Sequence, residues 1–360
     1  MINDLPDTIY HFSFKDVIKE AGDFLTTVYV FQSEEFNSIW QGFFQPDVDR
    51  IRMGPGTGLI SLDKTHQQGH SYVRVNFYDL YSNCIWELDG SVQCHNTFTQ
   101  SFGDDSVSIL TDSGVFLKYR HRQLETKIDF QLSTINSIMN ACIWSDGFAA
   151  ILTNGDLIYS TDLQQYQLLK HFDSIGCPSS FEAIPPKRSK TGKVIVYFIY
   201  DDKLYVISDS KSYILKFNEK IINFAFSFNY SKIAILTDDS NLHDPSVRPT
   251  YEVIVSTIDL QTVIYKKIVQ NESYNRVINI GWIGDVAPIV CFQGAFYFIT
   301  PDEGPMTMCA LHDPTDDSYC LTDVDSCVIL TSGQNYRIRH VPLNVYYIFC
   351  EEQTRPEIPI

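Results

Sequence analysis

Two stretches of the sequence carry residue types that could bind a metal ion. His66 and His70 stand four residues apart, the spacing of a metal-ligand pair on a helix. The segment from His312 to Asp317, followed by Asp323 and Asp325, is dense in carboxylates, the ligands that calcium prefers. The histidines are separated by Gln-Gln-Gly between strand-like segments, which favours a loop. The acidic segment lacks the order of an EF-hand, so we interpret it as a solvated loop.

A third stretch, residues 53–58 (MGPGTG), is rich in glycine, as phosphate-binding loops are. It lacks the Gly-Lys-Ser/Thr that places a lysine on the phosphates, and no helical pattern follows it, so we interpret it as a strand-entry turn. No hydrolase, zinc-protease or kinase motif is found in the chain. The sequence therefore predicts no catalytic, cofactor-binding or metal-binding residue, and we expect a protein that is not an enzyme.

The composition suits a large folded core. Of the 360 residues, 44% are hydrophobic and 14% aromatic, with 24 Phe and 21 Tyr, which suit strands better than helices. The nine cysteines form no C-x-x-C pair, and we expect reduced core thiols and a cytosolic protein. They are Cys84, Cys94, Cys142, Cys177, Cys291, Cys309, Cys320, Cys327 and Cys350.

The formal net charge is −17, with 44 acidic and 27 basic residues. This excess works against nucleic acid as a partner and allows at most peripheral association with a membrane. The N-terminal residues lack the apolar core of a signal peptide, and the longest apolar run, 194–200, is far too short to span a bilayer.

The elements that must position these residues are predicted to be β-strands. Residues 147–162 contain two apolar runs, Phe148–Leu152 and Leu157–Tyr159, on either side of Thr153-Asn154-Gly155-Asp156. Asn-Gly tolerates the positive φ angles of a type I′ turn, so this segment predicts a β-hairpin with a two-residue turn. One hairpin is marginal alone and needs other sheets to cover it.

Similar units recur along the chain at a mean spacing of about 45 residues, the period of a four-stranded propeller blade. Seven positions mark them: Asp63, Thr111, Thr153, Tyr200, Thr237, Gln293 and Thr331. The sequence therefore predicts an all-β fold, a single β-propeller with seven blades. We expect residues 48–350 to form the propeller, strands within 1–47 to close it, and 351–360 to be a tail, with a short helix at Phe14–Ala21.

Two loops are candidates for partner contacts. Residues 185–193 (PPKRSKTGK) form the only basic cluster, which suits an acidic partner or a lipid headgroup, although a solvated hairpin loop is the interpretation that we favour. The polar insertion Asn241–Thr250 has the composition of a loop tip, where binding specificity is often placed.

Six segments, taken in order, resemble the N-terminal region of the vacuolar protein sorting-associated protein 16 family. They are residues 50–64, 72–90, 141–163, 224–239, 278–292 and 325–349. The last is the most specific, because a strand, Tyr336-Arg337-Ile338-Arg339 and Val341-Pro342 follow one another there. The family's double glycine before Pro-Ile-Ala is altered to Gly-Pro-Gly-Thr-Gly-Leu-Ile-Ser in this chain.

The resemblance implies a non-catalytic scaffold subunit of the HOPS and CORVET tethering complexes. These act in vesicle-mediated transport and membrane fusion on the cytosolic face of endosomes, lysosomes or vacuoles. It implies other tethering subunits as partners. In the family an α-solenoid follows the propeller and engages the SM-family subunit; this chain carries no solenoid, so we do not expect SM binding. The alternative is a WD-repeat-like adaptor in another assembly.

Overall fold

The computed structural model describes residues 30–37, 50–54, 56–65, 72–80, 82–102, 105–133, 136–238, 250–270, 276–301, 307–311, 313, 315–331 and 334–341. Within these ranges the chain has 28 strands and no helix. The strands form seven antiparallel sheets of four strands each. The all-β, seven-bladed prediction is confirmed. The expected domain boundaries near residues 47 and 350, and the expected helix at 14–21, lie outside the described residues.

The first three complete blades follow one another along the chain. Blade 1 contains β2 (Arg50–Met53), β3 (Ile60–Asp63), β4 (Tyr72–Tyr78) and β5 (Cys84–Gln93). Blade 2 contains β6 (Thr97–Phe102), β7 (Ser106–Thr111), β8 (Val115–Arg120) and β9 (Gln123–Asp129). Blade 3 contains β10 (Ile138–Trp144), β11 (Gly147–Leu152), β12 (Asp156–Ser160) and β13 (Gln167–His171).

The next three blades repeat this order. Blade 4 contains β14 (Ser180–Ile184), β15 (Ile195–Tyr200), β16 (Lys203–Ser208) and β17 (Ser212–Lys216). Blade 5 contains β18 (Lys220–Phe226), β19 (Lys232–Asp238), β20 (Thr250–Thr257) and β21 (Val263–Gln270). Blade 6 contains β22 (Val277–Ile283), β23 (Ala287–Phe292), β24 (Ala295–Phe298) and β25 (Thr307–Ala310).

Blade 7 joins the two ends of the described chain. Its strands β26 (Tyr319–Thr322), β27 (Ser326–Leu330) and β28 (Gln334–Val341) are completed by β1 (Val30–Asn37). β1 pairs antiparallel with β28 along its full length, from Val30 opposite Val341 to Asn37 opposite Gln334. The outermost strand of the last blade is thus supplied by the first described strand.

The seven repeat positions fall at one structural place. Each lies at or next to the end of the second strand of its blade, for example Asp63 at the end of β3 and Thr331 just after β27. Second strands such as β11 and β23 are buried at every residue. Neighbouring blades cover both of their faces, so they appear in sequence as continuous apolar runs. This burial explains why these strands gave the clearest repeat.

The predicted hairpin of residues 147–162 forms, but its predicted turn type is wrong. Ile151 lies opposite Leu157, and the Gly155 N–H donates to the Leu152 carbonyl over 2.9 Å. Only Gly155 has a positive φ, +87°, whereas a type I′ turn would need one at Asn154 as well. The connection is therefore a three-residue loop that ends in a left-handed glycine. A Cβ at Gly155 would lie 2.1 Å from the Phe172 carbonyl oxygen.

Backbone conformations of the type I′ kind occur elsewhere. Asp201 and Asp202 both have positive φ between the paired Tyr200 and Lys203. His121 and Arg122 do the same between Arg120 and Gln123 in blade 2. At both places the strand register leaves only two residues for the turn, and this constraint outweighs the preference for Asn and Gly.

Blades 7 and 1 are joined by a buried carboxylate. Asp323, 1% exposed, accepts a hydrogen bond from the Gly56 N–H at 2.6 Å and forms an ion pair with Arg337 at 3.0 Å. It also accepts hydrogen bonds from the Ser326 hydroxyl and the Val324 N–H. The interpretation of Asp323 as part of a solvated acidic loop is therefore wrong, because this carboxylate is one of the contacts that close the ring.

Candidate functional site

The first strand of each blade lies at the centre of the ring. These strands, β2, β6, β10, β14, β18, β22 and β26, are the innermost members of their sheets, and neighbours such as β10 and β14, β18 and β22, and β22 and β26 contact each other. Arg52 on β2, Cys142 on β10, Glu182 on β14 and Tyr319 on β26 interact with one another. Blades 1 and 4 are not neighbours, so such side chains can meet only near the axis. They line a central channel.

Arg52 is the principal charge of this channel. Its side chain is reached by water although strands of several blades surround it, as expected in a narrow opening. Burial alone would lower the pKa of Arg52, but the Glu182 carboxylate, followed by Tyr319 and Cys142, outweighs burial and raises that pKa. The guanidinium therefore stays charged and is matched by Glu182 from the opposite side of the ring.

The channel thiol is not poised for catalysis. Cys142 donates its S–H to the Glu182 carboxylate over 3.6 Å. Burial, and then the charge of Glu182, raises the pKa of Cys142, so the nucleophilic thiolate is disfavoured. Burial likewise raises the pKa of Tyr230, which lies between β18 and β19 and interacts with both groups. Among the described residues, the Glu182 carboxylate thus acts on a guanidinium, a thiol and the phenols of Tyr230 and Tyr319.

The described histidines lie away from these inner strands. His95 is in the linker between β5 and β6, His121 is in the turn between β8 and β9, His171 ends the outermost strand β13, and His340 lies on β28, the third strand of blade 7. His171 pairs with Asp156 at 2.7 Å. His66 and His70 lie outside the described residues. In the described part of the chain, no three His, Cys, Asp or Glu side chains are placed to hold a metal ion.

Two further acidic residues of the carboxylate-rich segment, which we interpreted as a solvated loop, have protein partners. Asp317 pairs with Arg276 at 2.7 Å, and Asp313 accepts hydrogen bonds from the N–H and hydroxyl of Thr315. The glycine-rich stretch is a turn, as predicted, and joins β2 to β3. A Cβ at Gly54 would lie 2.3 Å from the backbone oxygen of Ser101, so glycine there permits the close contact between blades 1 and 2.

A repeat on the inner strands was missed in the sequence. Asn140, Asn223 and Asn279 each follow a register shift in β10, β18 and β22. Asn140 and Asn223 accept a hydrogen bond from the N–H of the next residue. Asn279 bonds both backbone groups of Cys320 in blade 7, at 2.8 and 3.0 Å. The pattern Ile/Val-x-Asn could have revealed these positions, whose side chains bond backbone groups of the inner strands.

The basic loop 185–193 joins β14 to β15, as expected for a hairpin loop. Lys187 pairs with Asp146 of blade 3 at 2.5 Å, and the Arg188 guanidinium lies 5.2 Å from the ring centre of Phe228 in blade 5. These contacts bridge three blades on one face of the ring. Of the predicted insertion, residues 241–249 lie outside the described residues, and Thr250 begins β20.

The outer rim exposes large apolar side chains, which the composition did not indicate. Each of the six outermost strands whose side chains are described carries at least one large apolar side chain that is exposed to water. These are Ile85 on β5, Leu124 on β9, Leu168 on β13, Ile214 on β17, Val263, Ile264 and Ile268 on β21, and Met308 on β25. The same strands have one edge without a strand partner in the described sheets.

Comparisons with known proteins establish only the fold of this chain. No family model and no curated protein sequence matches the chain. The chain is similar in structure to a catalytically inactive virginiamycin B lyase from Staphylococcus aureus, at 8% identity and a TM-score of 0.57, covering 86% of this chain and 100% of the lyase. It is also similar to YCF48 bound to D1 peptide, at 10% identity and a TM-score of 0.55, covering 87% and 97%.

A third similar structure is the Swd1 β-propeller domain of Myceliophteria thermophila, at 12% identity and a TM-score of 0.52, covering 81% of this chain and 96% of that domain. The chain is a β-propeller. At these identities the likeness shows the fold alone. The fold is shared by an enzyme and by a protein with a bound peptide, so function must be argued from this chain's own residues.

Proposed function

We propose that this propeller is a non-catalytic scaffold that binds other proteins through its outer rim. The observation that carries the proposal is the row of exposed apolar side chains on β5, β9, β13, β17, β21 and β25. Edge strands are prone to pair with other chains, and exposed apolar side chains on them favour protein contacts. Lysines on four of these strands, Lys127, Lys170, Lys216 and Lys266, limit indiscriminate pairing.

The chemistry of the channel supports a non-catalytic role. Cys142 is kept protonated by burial and by Glu182, and the charge of Arg52 is already matched. Two similar propellers have polypeptide partners according to their descriptions, YCF48 with D1 peptide and BBS1N with ARL6DN. These examples support the view that such a ring can accept a polypeptide.

The finer part of the proposal rests on the sequence resemblance. We propose that the protein is a subunit of a HOPS or CORVET tethering complex, peripheral on the cytosolic face of endosomes, lysosomes or vacuoles. Its support is the order of six segments that resemble the vacuolar protein sorting-associated protein 16 family. Five of them, 50–64, 141–163, 224–239, 278–292 and 325–349, include the second strand of a blade together with all or part of a flanking strand.

Affinity purification tests both levels of the proposal. The tagged protein is purified from its source cells together with a rim variant in which Leu124, Leu168 and Ile214 are changed to Asp. We expect tethering subunits with the wild type and fewer partners with the variant. Partners from another assembly would instead favour the WD-repeat-like adaptor. Identical partners for a folded rim variant would refute binding through the rim.

A further inference from the structure

The outermost strand of blade 5, β21, differs from the other rim strands. It carries three of the eight exposed apolar residues of the rim, Val263, Ile264 and Ile268. It pairs with β20 on one side, and the described sheets place no strand on its other side. A partner strand could therefore continue the sheet there through backbone hydrogen bonds, which is the usual mode of β-strand addition.

The two faces of β21 have different surroundings. Tyr265 donates its hydroxyl to the Ile299 carbonyl of blade 6 over 2.9 Å, and Val269 is fully buried on the same side. Since side chains alternate along a strand, Lys266 and Ile268 point the other way, towards blade 4, whereas Ile264 lies at a register shift of β21 against β20. Ile264 remains 45% exposed and Ile268 58% exposed, so blade 4 does not cover them.

We define the groove as the rim surface between blades 4 and 5, with Ile268 on β21 on one side and Tyr213 and Leu215 on β17 on the other. Tyr213 and Leu215 are partly buried against the core shared by the two blades. The Tyr213 hydroxyl donates to the Asp259 carbonyl over 3.3 Å and ties the two blades together at one end of the groove. The groove therefore has a fixed wall on each side.

The charged residues in this part of the chain indicate the kind of partner that the groove would bind. Residues 185–270 contain 12 Lys and Arg and 9 Asp and Glu, whereas the other 274 residues contain 15 and 35. Lys266 lies between the two exposed isoleucines and pairs with Glu252 at 3.1 Å. A pair this exposed contributes about 1 kcal/mol at most, so a partner's carboxylate can share the ammonium group. An otherwise acidic protein thus carries its basic excess beside its most apolar edge.

We propose that the β21 edge and the groove beside it bind an extended, acidic segment of a partner protein, with apolar residues alternating with Asp or Glu. The apolar residues would lie over Ile264 and Ile268, and a carboxylate would pair with Lys266. The segment would add a fifth strand to blade 5. This inference rests on the proposed function and names the site and the partner chemistry.

The test uses the full chain and a labelled peptide, Glu-Ile-Asp-Val-Glu-Ile-Asp-Val, measured by fluorescence anisotropy. Changing Ile264 and Ile268 to Asp should weaken binding about tenfold or more, because about 1.4 kcal/mol of lost apolar contact gives a factor of ten. Lys266→Glu should weaken it and reduce its dependence on salt. Tyr72→Asp on β4, with Tyr72 54% exposed against 58% for Ile268, is the matched control and should have no effect.

Several outcomes would overturn the proposal. They are no binding of the acidic peptide, equal binding of a peptide with Lys at the acidic positions, or equal loss with Tyr72→Asp. Binding to phosphatidylserine vesicles that Lys266→Glu abolishes, with no peptide binding, would assign the surface to a membrane. Self-association that Lys266→Glu abolishes would assign it to a second copy. If the peptide does not bind but the rim variant still loses partners, the proposed function is retained and only the proposed β21 site is rejected.

Discussion

Replacing Asp323 with Asn tests whether the contact between blades 7 and 1 holds the ring closed. The substitution removes the charge that faces Arg337 and turns one oxygen, an acceptor for Gly56, Ser326, Val324 or Arg337, into a donor. Breaking a buried ion pair on one side costs about 3–5 kcal/mol. Because the Arg337 side chain is 22% exposed and keeps some water, we expect a loss of about 2–4 kcal/mol in the free energy of unfolding.

Urea unfolding followed by tryptophan fluorescence measures this loss. The matched control is Asp325→Asn, since Asp325 lies 4.0 Å from the same Arg337 and its side chain is 67% exposed. We expect that control to change the free energy of unfolding by about 0.5 kcal/mol or less. Combining Asp323→Asn with Arg337→Met should give a coupling energy of at least about 1 kcal/mol. If the two Asp variants unfold alike, Asp323 does not hold the ring closed and our reasoning is refuted.

Three further changes test other parts of the fold. Gly54→Ala places a Cβ 2.3 Å from the Ser101 backbone oxygen and should cost about 1–3 kcal/mol in urea unfolding; an unchanged midpoint would contradict the close contact of the blades. Burial, helped by nearby carboxylates, raises the pKa of Cys94 to about 12 from its usual 9.0, so the folded form holds a proton that the unfolded form loses. Stability should therefore fall as pH rises from about 9 to 12, and less steeply in Cys94→Ala, whereas equal slopes would contradict this. Deleting residues 1–37 removes β1 and should lower the melting temperature and promote aggregation in light scattering, because β28 becomes an open edge.

Much of the ring could be predicted because the second strands are buried on both faces. Strands such as β11 and β27 are buried at every position and largely apolar, so they stand out at one place in each repeat. The number of blades follows from counting them. The outermost strands alternate between exposed and partly buried residues, as β9 and β17 do, and leave a much weaker signal.

The candidate sites could not be predicted because they depend on distant parts of the chain. Asp323 appeared to belong to a solvated acidic segment, yet its partners are Arg337 in the same sheet and Gly56, which is 267 residues away in sequence. Arg52 and Glu182 meet only after four blades have been assembled. No local sequence pattern indicates such interactions between residues that are far apart in the chain. The exposed residues of β21 were hidden for another reason, because an apolar residue in a strand normally indicates burial.

Because Val30 pairs with Val341, β1 is synthesised long before its partner strand β28. β1 leaves the ribosome about 310 residues before β28, which corresponds to about 15–60 s of translation at roughly 5–20 residues per second. During that interval six blades can be finished while β1 still lacks β28, its strand partner in blade 7. The nascent chain must keep β1 from pairing with the wrong edge, so chaperone dependence should be greatest just before Gln334 is translated.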